Sequence, residues 1–133
     1  MKNKVFLGGT CGASTWREEL IPILDTDTLH FNPVVEDWTA ECQDYEEEQK
    51  ALHCNIHLYV ITSEMQGVYS IAEVINSSKT PGKLTILHVI PKGFEGHQLK
   101  SLDAVINMVR NNGGIAYTDF SVERTATILN LIS

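Results

Sequence analysis

Glu73 is the residue whose setting most demands a chemical explanation. It stands between Ile71, Ala72, Val74 and Ile75, in the first turn of an expected helix whose flanks must pack on other elements. A carboxylate in such company needs a partner or a task. Read from the residues alone, it is either an acid favoured by the positive end of the helix dipole or a perturbed carboxylate at a functional site. Gly67, Tyr69 and Ser70 precede it and offer backbone access, hydroxyls and free helix N–H groups, a combination suited to an anion or a sugar. Asp37, in NPVVEDW, is the second acid of interest. Its alternative is a loop aspartate that bonds to nearby backbone N–H groups or caps the following helix. Other groupings carry less. His53 and His57 have the i, i+4 spacing of metal ligands with Cys54 between them, but a helix-to-strand junction at Asn55 breaks their shared face, so no metal is expected. Cys11 lies in a glycine-rich loop with no histidine placed to activate it. The GGT turn lacks a GxGxxG pattern, so no dinucleotide or other cofactor is expected. The acidic run over 44–48 reads as a solvated helix face.

The elements that must position these residues alternate strand and helix. Residues 4–8 (KVFLG) form a short apolar run ending in glycines, a buried strand that opens into the loop GGTCGAS. A helix starts near Thr15, where Thr15 and Glu18 have capping-box spacing and Trp16, Leu20, Ile21 and Leu24 recur at helical intervals, with Pro22 shortening or kinking it. A strand over 28–31 ends at Pro33. From Thr39, a plausible N-cap, AECQDYEEEQKALHC reads as a polar surface helix. Residues 56–62 (IHLYVIT) form the central strand and 70–76 the next helix. After the SSKTPGK loop come a strand over 84–90, a helix over 97–111, a strand over 113–118 and a last helix over 121–132. Five strands each followed by a helix imply right-handed crossovers. The expected fold is a flavodoxin-like three-layer α/β sandwich over one domain, 1–133, with a five-stranded parallel sheet in the order 2-1-3-4-5.

That topology locates the site. Ligands of such sheets bind beyond the carboxyl ends of the strands at the switch point, here between the first and third strands. Three loops meet there: GGTCGASTW, NPVVEDW and SEMQGVYSIAE.

Three segments, VFLGGTCGASTWREELIP (5–22), FNPVVEDWTAEC (31–42) and LYVITSEMQGVYSIAEVINSS (58–78), together resemble the nucleoside 2-deoxyribosyltransferase-like family over more than half of the chain. The resemblance implies the same parallel fold and N-glycosidic chemistry. A glutamate on the helix after the third strand would attack the anomeric carbon of a deoxyribosyl group, and Glu73 within GVYSIAE matches that position. A carboxylate there can stabilise an oxocarbenium-like state or form a covalent intermediate. Asp37 becomes the candidate acid for the departing base. Trp38 or Trp16 would stack on the base unless either is core. Gly8, Gly9 and Thr10 would line the sugar or phosphate side, and Asn32, Met65, Gly67, Tyr69 and Ser70 the rest of the substrate pocket. Phe6 stands where a tyrosine often orients the nucleophile, and Ser63, Glu64 and Gly67 where the transferases carry aspartates. Two function classes follow: an enzyme that transfers or hydrolyses the base of a nucleoside or nucleotide, and a catalytically silent protein that holds a nucleotide derivative in the same crevice.

Composition limits the partners. A formal net charge of −7 over 133 residues, with no cluster of basic residues, disfavours a nucleic-acid polymer, while a small phosphorylated ligand is still compatible with helix N-termini. No apolar run reaches membrane-spanning length and no signal-peptide core opens the chain. Three cysteines without CxxC spacing fit a reducing interior. The expectation is a cytoplasmic protein, with a possible homodimer.

Overall fold

A computed structural model describes residues 3–35 and 39–132. Among them β1 (Lys4–Gly9), β2 (Leu29–Phe31), β3 (Ile56–Ile61), β4 (Leu84–Val89) and β5 (Ile115–Thr118) pair in parallel as one sheet, ordered β2-β1-β3-β4-β5. This is the flavodoxin-like order expected from the alternation of strand and helix. The connecting helices are α1 (Trp16–Leu20), α2 (Ala40–Glu48), α3 (Tyr69–Ser78), α4 (Gly96–Asn111) and α5 (Glu123–Ile132).

Both faces of the sheet are covered, which is why its central strands read as unbroken apolar runs rather than alternating ones. Val5, Leu7, Leu58, Val60 and Ile86 pack with Trp16 and Leu20 of α1 and with Ala126 and Leu129 of α5. Phe6, Tyr59, Ile61, Leu87 and Val89 pack with Val74 of α3 and with Leu102, Ile106 and Val109 of α4. Alternation along β1 and β3 therefore places Phe6, Gly8, His57 and Tyr59 on one face, with Gly8 opposite Tyr59 in the register.

Several local expectations are corrected. Thr15 precedes α1 but makes no side-chain cap, so its capping box with Glu18 is not formed. The helix lasts five residues and tightens into a 3-10 turn at Ile21–Ile23, where Pro22 supplies no backbone donor. Thr39 does cap α2, its hydroxyl accepting from the Cys42 N–H at 3.2 Å. That helix ends in a π-turn over Gln49–His53, closed by the Cys54 N–H donating to the Gln49 carbonyl at 2.9 Å. Helix α3 begins at Tyr69, so Glu73 falls in its second turn and no acid lies in the first. The dipole of the helix end fades within a turn, which removes the simplest alternative to a functional Glu73.

Candidate active site

Glu73 projects from α3 toward α2, where its carboxylate accepts from the Lys50 ammonium at 2.9 Å; the two side chains are only 11% and 14% exposed. Lys50 also bonds Glu47 at 3.0 Å and stands 5.5 Å from the ring centroid of Phe6. Burial pulls the Lys50 ammonium toward neutrality, but its bonds to Glu73 and Glu47 outweigh this and hold its pKa above the ordinary value. It is a fixed cation at working pH. The π-turn is what aims it. His57 Nε2 lies 2.9 Å from the Lys50 carbonyl and 3.1 Å from that of Cys54. With two acceptors against it, Nε2 is assigned the proton, and Nδ1 accepts from the Ser77 hydroxyl at 2.8 Å. Burial pushes the His57 pKa below its usual value, keeping the ring neutral and the tether intact.

A cavity of about 490 Å³ opens beside Glu73, lined by Gly8, Gly9, Cys11, Arg17, Glu46 and Ser70, with Phe6, Val34 and Val35 as its apolar part. Its shape depends on two glycines. A Cβ on Gly8 would meet the Tyr59 ring at 2.7 Å, and one on Gly9, which has φ +112°, would meet the Val60 carbonyl oxygen at 2.2 Å. Glu46 enters the cavity from α2. Burial, and after it the negative charge of Glu73, raises its carboxyl above the usual range. One crevice thus holds an ion-paired carboxylate, Glu73, and a second carboxyl, Glu46, biased toward its protonated form.

Arg17 holds the strand end that forms the crevice wall. It is buried, and its guanidinium donates to the Leu7 carbonyl from Nε and Nη2 (3.1 and 2.9 Å) and to the Thr10 carbonyl from Nη1 (2.8 Å). Burial lowers its pKa, but a guanidinium stays charged at working pH. Among the described residues it forms no ion pair. A neighbouring cavity of about 300 Å³ is lined by Gly9, Thr10, Met65, Gly67, Tyr69 and Ser70. Gly9, Tyr69 and Ser70 border both cavities.

Most sequence-expected residues therefore converge: Gly8, Gly9, Tyr69, Ser70 and Glu73 on the larger cavity, and Thr10, Met65 and Gly67 on its neighbour. Thr10 is also a clamp, its hydroxyl accepting from the Thr62 N–H at 2.9 Å. Two do not converge. Trp16 is buried and its indole N–H donates to the Thr10 carbonyl at 2.8 Å, so its ring belongs to the core, not to a base. Asn32 turns back on its own loop, accepting from the Val34 N–H at 3.1 Å, and lines a cavity beside α2 that shares Pro33, Val35 and Glu46 with the larger one but does not include Glu73. Asp37 and Trp38 lie outside the described residues. Sequence reasoning missed Arg17, Glu46 and Lys50. The acidic run over 44–48 is the solvated face expected of it except at Glu46, which is half-buried, and Lys50, beyond the run, reaches inward.

Fold and crevice together define an α/β protein with a carboxylate-bearing pocket at the topological switch point. A model of the nucleoside 2-deoxyribosyltransferase-like family matches residues 2–92, more than half of the chain, and the chain belongs to that family. The matched span runs from β1 through β4 and contains Arg17, Glu46, Lys50 and Glu73. No curated protein and no solved structure matches the chain. No helix among the described residues is long and apolar enough to cross a membrane.

Proposed function

We propose that the protein breaks the N-glycosidic bond of a nucleoside or nucleotide, with Glu73 as nucleophile. The observation that carries this reading is the pairing, in one crevice, of Glu73 at the family's glutamate position with Glu46, a carboxyl that burial holds toward its acid form. In the first step a Glu73 oxygen bonds to the anomeric carbon while the carbon–nitrogen bond breaks. Its electron pair leaves with the base, which takes a proton from Glu46. In the second step a water or an incoming base attacks the same carbon, gives its proton to the Glu46 carboxylate and releases Glu73. Lys50 orients Glu73, a task for which Phe6 has no hydroxyl. Asp37 is the other candidate acid. Gly8, Gly9, Thr10 and Ser70 would face the sugar or phosphate. No cofactor is required, the partner is a small molecule, and the site lies within a single domain.

The Lys50–Glu73 ion pair also favours a second reading, because it withdraws electron density from the carboxylate: a silent protein that holds a nucleotide derivative. One experiment separates the two. The protein is incubated with deoxyribonucleosides, ribonucleosides and their 5′-monophosphates, with and without an acceptor base, and free base is followed by chromatography. Base release abolished by Glu73→Gln supports the enzyme, and dependence on the acceptor marks transfer rather than hydrolysis. Absence of release from every substrate, with ligand-induced stabilisation by one of them, supports the silent binder.

A further inference from the structure

A further cavity, of about 430 Å³, opens among the loops that follow β1, β3, β4 and β5. It shares no residue with the crevice that holds Glu73 and only Glu64 with the neighbouring one. Gly93 and Phe120, in its lining, lie beyond the span matched by the family model. Its walls are fixed by the backbone. The Ile90 N–H donates to the Ile61 carbonyl at 2.9 Å and the Asp119 N–H to the Val89 carbonyl at 3.0 Å, so the loops after β3, β4 and β5 leave the sheet tied together. His88 Nε2 lies 2.9 Å from the Asp119 carbonyl, and Asp119 Oδ1 accepts from the Ser121 N–H at 3.0 Å, which holds Phe120 between two anchored residues. Gly93 lets the turn after β4 close on Ser63, where a Cβ would run into the serine side chain. The cavity is therefore preformed, and its volume suits a small molecule.

The side chains say what kind. Lys92 and Glu19 line the cavity, both exposed, and neither forms an ion pair with any described residue. Two free charges of opposite sign in one cavity suit an occupant that carries both, since a simple cation would leave Lys92 unmatched and a simple anion would leave Glu19 unmatched. Glu64 is already engaged, accepting from the Ser63 hydroxyl at 3.2 Å. The Ser14 hydroxyl accepts from that of Thr62 at 3.4 Å and so keeps its own proton to donate. Trp16 and Ile90 carry the apolar core up to the cavity, and Phe120, 73% exposed, offers a ring face to an apolar group. We infer that this cavity binds a free α-amino acid with an apolar side chain, its carboxylate on Lys92 and the Ser14 hydroxyl, its ammonium on Glu19 and its side chain against Phe120. The site needs neither Glu73 nor turnover, so it stands apart from the proposed glycosidic reaction.

Calorimetric titration of the whole chain with L-phenylalanine and L-leucine tests the inference. Phenylalaninamide, which lacks the carboxylate, and 3-phenylpropionate, which lacks the ammonium, are the comparison probes. The expected result is saturable one-to-one binding of at least one of the two amino acids, weakened about tenfold by Lys92→Met, by Glu19→Gln and by Phe120→Ala, and unchanged by Glu73→Gln. Each comparison probe should bind about tenfold more weakly than phenylalanine to the parent protein. The penalty of the amide should vanish in Lys92→Met and that of 3-phenylpropionate in Glu19→Gln, a pattern that a general loss of folding would not produce. Absence of binding by both amino acids, undiminished affinity in Lys92→Met or Glu19→Gln, or weakening by Glu73→Gln would overturn the site. An amide or a 3-phenylpropionate that binds the parent as tightly as phenylalanine would overturn the zwitterionic class.

Discussion

Replacing Lys50 with Met removes the ammonium that holds Glu73 while keeping a stem of similar length against Phe6. At the observed 2.9 Å, the attraction between unit charges is roughly 6 kcal/mol at an effective dielectric constant of about 20. Most of that is offset by the partial withdrawal of both groups from water, and a pair between the exposed and fully buried limits nets about 1–3 kcal/mol. The sharpest assay is a double-mutant cycle in urea over the parent, Lys50→Met, Glu73→Gln and the double variant. Glu47 also bonds Lys50, but its contribution cancels in the cycle because it is lost equally from both variants that lack the lysine. Each single change should destabilise by about 1–3 kcal/mol, with a coupling energy of about 1–2 kcal/mol. For a chain of this size, each kcal/mol corresponds to about 3–5 °C in melting temperature. A coupling below about 0.5 kcal/mol would mean that solvent screens the pair and that Lys50 does not fix Glu73. A normal coupling with undiminished turnover in Lys50→Met would leave the ion pair structural and refute its orienting role. Partial recovery of turnover in Lys50→Arg is the expected companion result.

Three other expectations follow from the same contacts. Glu46→Gln should lower base release by about 10²–10⁴-fold for an ordinary base and much less for an activated leaving group that needs no proton. The larger loss in Asp37→Asn would instead make Asp37 the acid. Gly8→Ala drives a methyl group to within 2.7 Å of the Tyr59 ring and should cost about 1–3 kcal/mol in urea unfolding; an unchanged midpoint would show that the ring moves aside freely. Stability should fall on acidification, because burial holds the pKa values of His57 and His88 below that of a free imidazole. The unfolded chain protonates near pH 6.5 while the folded one resists, so their contribution is complete above that pH. It is lost on descending below it, by up to about 1.4 kcal/mol per pH unit for each ring. Urea midpoints at pH 7.5, 6.5 and 5.5 check this, and a flat profile would refute it.

The sheet was legible because each strand is a short β-rich run closed by glycine, proline or polar residues, and because the regular alternation with helices leaves one simple topology. The crevice was legible for the same reason, since its position follows from strand order before any side chain is considered. Glu73 was legible by contrast with its apolar neighbours. Arg17 left no comparable trace: nothing in GGTCGASTWRE says that the arginine folds back onto the Leu7 and Thr10 carbonyls, because that contact depends on how the chain leaves β1.

Helix α2 is the solvated surface helix that was expected, and the exceptions on its inner edge are instructive. A surface helix ordinarily turns its apolar residues inward and its charges outward. Here Tyr45 and Leu52 are 55% and 73% exposed, while Glu46, Gln49 and Lys50 are buried or half-buried. The acidic run suggested only a solvated face, since the usual rule assigns charges to water. The π-turn then adds a residue to the last turn and brings Cys54, rather than His53, into the core, so ordinary helical spacing misplaces the end of the segment. What was readable was the shortage of inward-facing apolar residues over 40–50. A helix beside a sheet with so little apolar surface has only polar groups to turn inward, and in a sheet of this topology polar groups turned inward beside the switch point are a reason to look for a site. Reversed polarity in the helix that crosses from β2 to β3 is therefore the signal to seek when the acid partner of a glutamate like Glu73 is missing from the loops.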